Sequence, residues 1–297
     1  MARRRGRVVR FHSNQVTVVD LEDGNRITLK LRGRFKMQGI RPLVGDIIEY
    51  TPDGFGSGLV ENILHRRNQL TKPSVANVDQ VMVVATIKEP ETPLGILDRI
   101  LVLAEKAGIE IVVVFNKVDI LETEEEKKKL QEIKSIYARI YPTICTSAKK
   151  GTGLKEFKEF LKNKVSVMAG LSGVGKSSLL NAVNPGLKLR TGEVSRTGRG
   201  RHTTTYSELL EFDFGGFVAD TPGFSSLEIK DISKEELKSY FPEFAEYQKC
   251  LFSDCLHLSE PGCAVRYAAE QGLIAPSRYR SYRDILKEIM EGGKERW

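Results

Sequence analysis

The strongest constraint on this chain is the run Gly170-Leu171-Ser172-Gly173-Val174-Gly175-Lys176-Ser177. It is entered from the apolar stretch 164–169 and leaves into 176–183, a segment read as helix. Glycines at this spacing let backbone N–H groups close around phosphate oxygens, and a helix that starts there adds a favourable field for an anion. A strand, a glycine loop and a helix in that order commit the surrounding chain to a mostly parallel sheet with helices on both faces. Ligands of such sheets bind at the carboxyl ends of the strands. Within the run, Lys176 is placed to neutralise the β and γ phosphates of a nucleotide and Ser177 to ligate Mg²⁺, with Ser178 beside them in the first helical turn.

A phosphate loop selects a nucleoside triphosphate but not its base. Asn116-Lys117-Val118-Asp119, directly after the apolar run 111–115, supplies a reader. The carboxylate of Asp119 can accept both the ring N–H and the exocyclic amine of guanine, an arrangement that adenine does not present. A carboxylate left unpaired is costly, so the base is discriminated strongly. Asn116 ties the loop together and the Lys117 stem covers the base. Thr146-Ser147-Ala148-Lys149 follows the next strand, 142–145, and a loop so placed in GTPases offers a backbone N–H to guanine O6. Either tetrapeptide alone is an ordinary surface turn; their weight comes from arriving one strand apart.

Asp220-Thr221-Pro222-Gly223 closes the short apolar run 217–219. Asp220 is expected to hold Mg²⁺ through water, and the Gly223 amide to sense the γ phosphate. The stretch 190–205 is glycine-rich, basic and without apolar period, as suits a mobile loop. One of Thr203, Thr204 and Thr205 should complete the Mg²⁺ shell, and Thr204 is the expected ligand.

The flanks differ in grammar. Residues 1–72 hold 14 Lys and Arg against 7 Asp and Glu, while the remaining 32 of each sign cancel, so the whole net charge of +7 lies at this end. Such a patch attracts polyanions by counterion release, and it serves equally as a solvated face. Five short strands, 7–11, 15–21, 26–31, 46–50 and 58–63, separated by turns at 22–25, 42–45 and 52–56, suit a small closed barrel of the OB type, with an SH3-like barrel as the alternative. A polar link at 65–73 leads to strands and helices in alternation: strand 78–87, helix 97–107, strand 111–115 and the charged helix 122–138. From about Ser233 the chain turns helical and polar, and ends in a helix at 276–290 with Tyr282, Ile285, Leu286 and Ile289 on one stripe. No apolar run approaches the roughly 20 residues of a membrane span, and no long apolar leader opens the chain, so a cytoplasmic protein without membrane contact is expected.

Cys250, Cys255, His257 and Cys263 place three thiols and an imidazole within fourteen residues. Four soft ligands fill a tetrahedral Zn²⁺ shell and leave no open position, which makes a structural site. Cys145 stands apart and reads as a small buried hydrophobe.

The five nucleotide elements resemble those of translation-factor-like GTPases, with the base-reading pair placed before the phosphate loop, as in a circularly permuted GTPase. With the N-terminal barrel, the string Gly200-Arg201-His202-Thr203-Thr204-Thr205 and the cysteine cluster, the chain resembles the ribosome small-subunit-dependent GTPase A family (RsgA, also called YjeQ or YloQ) over essentially its full length. The resemblance implies a multidomain α/β protein with three parts. These are an RNA-binding OB-fold at 1–72, a circularly permuted P-loop GTPase domain at 73–227, and a helical zinc-binding domain at 228–297. It also implies GTP hydrolysis to GDP and phosphate, stimulated by the small ribosomal subunit in its late maturation, with 16S rRNA as a contact and a monomeric chain.

Ras-type GTPases place a glutamine just after the Asp-x-x-Gly element, and this chain has Phe224 there. Turnover by the bare protein should therefore be slow. His202, able as a neutral imidazole to accept from water, is the candidate catalytic residue beside Lys176 and Gly223; its bland alternative is an exposed histidine in an RNA-contacting loop. The rival from another class is an RNA-binding adaptor carrying a slow guanine-nucleotide switch. An ATP-using enzyme is disfavoured by Asp119.

Overall fold

A computed structural model describes residues 3–54, 56–71, 73–190, 208–220, 229 and 231–292. The chain begins with β1 (Arg4–His12), β2 (Gln15–Asp20) and β3 (Arg26–Lys30), an antiparallel meander. A short helix, α1 (Gly33–Met37), then brings Phe35 inward before β4 (Ile47–Pro52) and β5 (Ser57–Ile63). β5 lies parallel to β3 and antiparallel to β4, and β4 returns antiparallel onto β1, so the ladder closes in the order β1-β2-β3-β5-β4-β1. This closure, with a helix between the third and fourth strands, makes the barrel an OB-fold and removes the SH3-like alternative. Alternate residues fill it: Val8, Val16, Val18, Leu29, Ile48, Tyr50 and Val60 pack around Phe35. The strand bounds fall within a few residues of those expected.

The stretch 65–73 is more than a polar link. β6 (Gln69–Thr71) and β7 (Ser74–Ala76) form a hairpin, and Val75 of it bridges to Val44 beside the barrel. Strands of three residues carry too little alternation to be legible in sequence.

Next comes β8 (Gln80–Ala85), wholly buried, then α2 (Leu94–Lys106), β9 (Glu110–Phe115) and α3 (Glu124–Ala138). α3 starts where it does because Thr123 and Glu126 form a reciprocal cap, each side chain bonding the other's backbone N–H. β10 (Thr143–Cys145) runs parallel to β9. α4 (Leu154–Leu161), not anticipated, packs Phe157 and Leu161 inward and leads to β11 (Val165–Ala169) and α5 (Lys176–Val183). β12 (Glu208–Glu211), also not anticipated, pairs antiparallel with β13 (Phe217–Asp220), which runs parallel to β11.

Beyond residue 231 the described chain holds no strand, and less regular helix than its composition suggests. Two 3-10 turns, Leu237–Tyr240 and Pro242–Tyr247, precede α6 (Ala264–Glu270) and α7 (Pro276–Gly292). Tyr282, Ile285 and Leu286 of α7 are buried with Phe241, Phe244, Val265 and with Val102 of α2.

The chain divides into two compact units. One comprises Met1–Val81, Leu154–Met168 and Lys176–Ser225, and the other Met82–Gly153, Ala169–Gly175 and Ser226–Trp297. In the first, barrel strand β1 continues pairing onto β12 at Arg10 and Glu208, and Arg26 pairs with Glu211 at 3.1 Å. In the second, α2 and α7 pack together, and Arg278 of α7 is buried between Asp98 of α2 at 2.8 Å and Glu243 at 2.7 Å. Its guanidinium also lies over the Phe241 ring. Mutual attraction holds Arg278 well above its ordinary value despite burial, so the ion stays charged in the interior. Among the described residues no helix is long and apolar enough to cross a membrane.

Candidate functional site

β9 and β10 run in register with Phe115 beside Cys145, so the loops after them emerge side by side at one end of the sheet. Asn116 is buried there and spans two loops: its Nδ2 donates to the carbonyl of Val174 at 2.8 Å, and its Oδ1 accepts from Thr146 Oγ1 at 3.1 Å. Lys117 takes a left-handed backbone, and its ammonium donates to the carbonyl of Glu89. Ser147 Oγ donates to Asp119 Oδ1 at 2.5 Å and accepts from the Lys150 N–H at 3.0 Å. The Ser147 N–H to Thr152 carbonyl bond, 3.0 Å, closes the 147–152 turn in which half-buried Ala148 and exposed Lys149 lie. Asp119 is thus held with one carboxylate oxygen bonded to a fixed hydroxyl.

The loop 170–175 approaches these elements closely enough to require glycine. Gly170 has φ +132°, and a Cβ there would come within 2.1 Å of the Val84 carbonyl oxygen. Gly175, at φ +95°, leaves room for Asn116 Nδ2, which a Cβ would meet at 2.4 Å. Leu171 and Ser172 lie in the same loop, and the chain continues directly into α5 with Lys176, Ser177 and Ser178 in its first turn. Burial lowers Lys176 below the ordinary lysine value. Glycine-lined backbone opening a helix, with a lysine and a serine at its start, fits a nucleotide's phosphates and the oxygen donor that Mg²⁺ prefers.

β11 and β13 are parallel neighbours, so the chain leaves both at their carboxyl ends, toward the phosphate loop from one and beyond Asp220 from the other. For Asp220 only the strand position is described. His202, Thr203, Thr204, Thr205, Gly223 and Phe224 lie outside the described residues.

Sequence reading missed the loop 86–92 after β8. Buried Thr86 and Thr92 lock it, with Thr86 N–H donating to Thr92 Oγ1 at 3.0 Å and Thr86 Oγ1 donating to the Pro90 carbonyl at 2.5 Å. No motif marks such a loop; its importance comes from what it touches.

The four residues of the Cys/His cluster converge. The ligand atoms of Cys250, Cys255, His257 and Cys263 all lie within 4.8 Å of one another, with Nδ1 of His257 at 3.6 Å from Cys250 Sγ and 3.4 Å from Cys263 Sγ. On a tetrahedron with Zn–S near 2.3 Å and Zn–N near 2.0 Å, neighbouring ligand atoms sit roughly 3.5–3.8 Å apart. Burial lowers His257, favouring the neutral ring that ligates, and pushes the Cys255 thiol up to about 12, so a cation must displace protons to enter. The cluster can therefore hold a metal ion. Its support was not foreseen. Glu260 accepts the N–H groups of Leu256, Leu258 and Ser259, while α7 donates Tyr279 Oη to the His257 carbonyl and Tyr282 Oη to the Leu256 carbonyl, both at 2.7 Å. Cys145 is half-buried in β10 rather than fully enclosed.

On the barrel a cleft of about 450 Å³ is lined by Phe11, Leu31, Arg32, Lys36, Ile40 and Arg41 among others. Some of the N-terminal excess charge is paired internally, as in Arg4 with Asp20 and Arg66 with Asp46.

A glycine phosphate loop held against an Asn-Lys-x-Asp reader defines a P-loop guanine-nucleotide protein, and here the reader precedes the phosphate loop along the chain. The RsgA GTPase family model matches residues 63–230. A small ribosomal subunit biogenesis GTPase RsgA from Thermotoga petrophila is 60% identical over 97% of both chains, and one from Caldanaerobacter subterraneus 46% over 100% of this chain and 99% of its own. Among solved structures, YjeQ from Thermotoga maritima has a TM-score of 0.89 at 57% identity, covering 97% of this chain and 99% of its own. YloQ, described as a circularly permuted GTPase, has a TM-score of 0.85 at 36% identity, covering 98% and 96%. The chain belongs to the RsgA GTPase family, and its enzymatic activity is GTP hydrolysis.

Proposed function

We propose that this chain is a GTPase of small-subunit biogenesis whose hydrolysis is stimulated by the small ribosomal subunit during late maturation, after which the GDP form leaves. The observation that carries the nucleotide half is the Asn116 bridge from the base-reading loop to Val174 of the phosphate loop, beside an Asp119 fixed by Ser147. The ribosomal half rests on the names of the relatives and on the basic barrel.

In this reading Asp119 accepts from guanine, Lys117 lines the base, and the loop of Ser147, Ala148 and Lys149 reads O6. Residues 170–175 wrap the phosphates, Lys176 neutralises them, and Ser177, Thr204 and Asp220 hold Mg²⁺, with Ser178 at the α5 N-terminus. Mg²⁺, when bound, offsets charge on the β and γ oxygens. Water attacks the γ phosphorus as the bond to the β–γ bridging oxygen breaks, giving GDP and phosphate. His202 orients that water in place of the absent glutamine, and the Gly223 amide follows the γ phosphate. Phe224 at the glutamine position is the reason to expect that a partner completes the arrangement.

The parts divide at 1–72 as the RNA-binding barrel, 73–227 as the GTPase domain and 228–297 as the zinc domain. Cys250, Cys255, His257 and Cys263 hold one structural Zn²⁺, since soft tetrahedral donors without an open position suit that ion. The barrel contacts 16S rRNA, its cleft offering Phe11 for stacking and Arg32, Lys36 and Arg41 for phosphates. The protein acts in the cytoplasm as a monomer, without membrane contact.

GTP turnover at fixed Mg²⁺, alone and with purified small subunits, tests this. A large rise specific to small subunits is expected. No rise, with GTP binding intact, would favour an RNA-binding adaptor carrying a slow guanine-nucleotide switch.

A further inference from the structure

We infer that the loop 86–92 is a strap that sets how fast guanine nucleotide leaves, by fixing Lys117 and covering the phosphate loop. The inference rests on the reading of Lys117 and residues 170–175 as nucleotide contacts.

The loop follows β8 and is anchored on several sides. Internally, Thr86 N–H donates to Thr92 Oγ1 at 3.0 Å, Thr92 N–H returns to the Thr86 carbonyl at 2.9 Å, and Thr86 Oγ1 donates to the Pro90 carbonyl at 2.5 Å. Toward α3, Lys88 pairs with Glu126 at 2.9 Å and Glu91 with Lys129 at 2.7 Å. A loop so closed presents two groups in a fixed position. The Glu89 carbonyl accepts the Lys117 ammonium, and the Pro90 ring lies 3.5 Å from where a Cβ on Gly173 would stand.

Glu89 occupies a left-handed backbone, φ 52°, without being glycine. Such a conformation costs energy and persists where surrounding contacts impose it. Here it turns the carbonyl of Glu89 to Lys117. A lysine stem stretched between its own loop and this carbonyl has few rotamers left, so it forms a wall that needs no ordering when nucleotide binds. The Lys117 stem also passes Gly175, with its Cε 4.0 Å from the position of a Cβ there. Loosening the strap therefore frees the lysine and uncovers Gly173 together, and nucleotide escapes faster. Thr92 and Pro90 are positioning residues, acting through Lys117 and the phosphate loop.

The test is GDP dissociation from the full-length protein, followed by chasing a fluorescent N-methylanthraniloyl GDP with excess GDP. Lys117→Met keeps the stem, loses the donated bond and should raise the off-rate. Thr92→Val and the exposed Pro90→Ala should each raise it roughly three- to tenfold, the range of one ordinary hydrogen bond or contact set, while Thr92→Ser restores the wild-type rate. In a Lys117→Met background, Thr92→Val should add less than about twofold, because coupled residues are not additive. Off-rates of Thr92→Val and Pro90→Ala equal to wild type, with Lys117→Met fast, would overturn the strap. So would a full additional factor from Thr92→Val in the Lys117→Met background. An unchanged off-rate in Lys117→Met alone would instead overturn the nucleotide reading of that lysine, and the strap with it.

Discussion

The loops that follow β9 and β10 and the Cys/His knuckle each hold several side chains in one geometry, by opposite means. Asn116, Asp119, Thr146 and Ser147 sit where two parallel strands end, and hydrogen bonds to one another and to backbone fix them. Their order is inherited from the sheet. Cys250, Cys255, His257 and Cys263 lie in a segment with no strand among the described residues, and burial makes two of the thiols harder to ionise. Their ligand atoms lie within 4.8 Å of one another, so the cluster can hold a metal ion. One site is braced by hydrogen bonds within the fold, and the other is a set of buried donors that a cation could bridge.

In the proposed zinc-bound protein, removing the metal should have the largest effect and remain local. Binding of structural zinc contributes about 10–16 kcal/mol in isolated zinc-finger peptides, so chelation, or Cys255→Ser with Cys263→Ser, should strip protection from the 237–263 region. Hydrogen exchange would read this, with GTP affinity as the comparison. Equal loss of protection in the loops that follow β9 and β10 would show that the two regions do not differ in this way.

Arg278→Met comes next. It leaves Asp98, fully buried, and Glu243 without their cation, and breaking a buried pair from one side costs about 3–5 kcal/mol. Denaturant unfolding measures this, and Asp98→Asn in the same chain should recover part of the loss. A stability unchanged by Arg278→Met would mean that α7 is held to α2 by apolar packing alone.

Gly170→Ala probes the other region. A side chain at φ +132° costs roughly 1–3 kcal/mol in strain, apart from the clash with the Val84 carbonyl. GTP affinity should fall while the Cys/His cluster keeps its metal content. Loss of metal in this variant would show that the two regions are not independent.

The smallest effect is a matter of pH. Lys88 first, and then the N–H groups of Thr123 and Glu122, hold the Glu126 carboxyl down to about 2, against an ordinary 4.5. Because its pKa in the folded protein is depressed, its contribution to stability is present above pH 4.5 and is lost as pH falls from 4.5 toward 2. Glu126→Gln should flatten that part of the pH–stability curve while leaving the start of α3 in place, because a glutamine oxygen still accepts the Thr123 N–H and the residue 126 N–H still donates to Thr123 Oγ1. An identical curve would show that the Glu126 charge contributes nothing to stability.

What sequence made legible divides along the same line. The phosphate loop, the reader and the cysteine spacing each announce themselves because their chemistry lies within fourteen residues or fewer, and the local backbone demands particular residue types. The barrel was readable from alternation in five strands, whereas β6, β7 and β12, of three or four residues, were not. Tertiary partners were also hidden. Arg278 meets Asp98 from 180 residues away, and Tyr282 meets Leu256 from 26. Even so, Arg278 falls four residues before Tyr282, on the apolar stripe of α7. A charge on such a stripe signals a buried partner, though not which one.

The most direct measurement is the nucleotide preference of Asp119→Asn, taken as equilibrium affinities of fluorescent GTP and XTP analogues for wild type and variant. If Asp119, fixed by Ser147, reads the guanine edge, the variant loses GTP by about a hundredfold or more, as expected when a hydrogen-bonding pocket loses its match, and gains XTP in turn. Unchanged affinities for both nucleotides would contradict that assignment, and with it the reading of this sheet end as the guanine site.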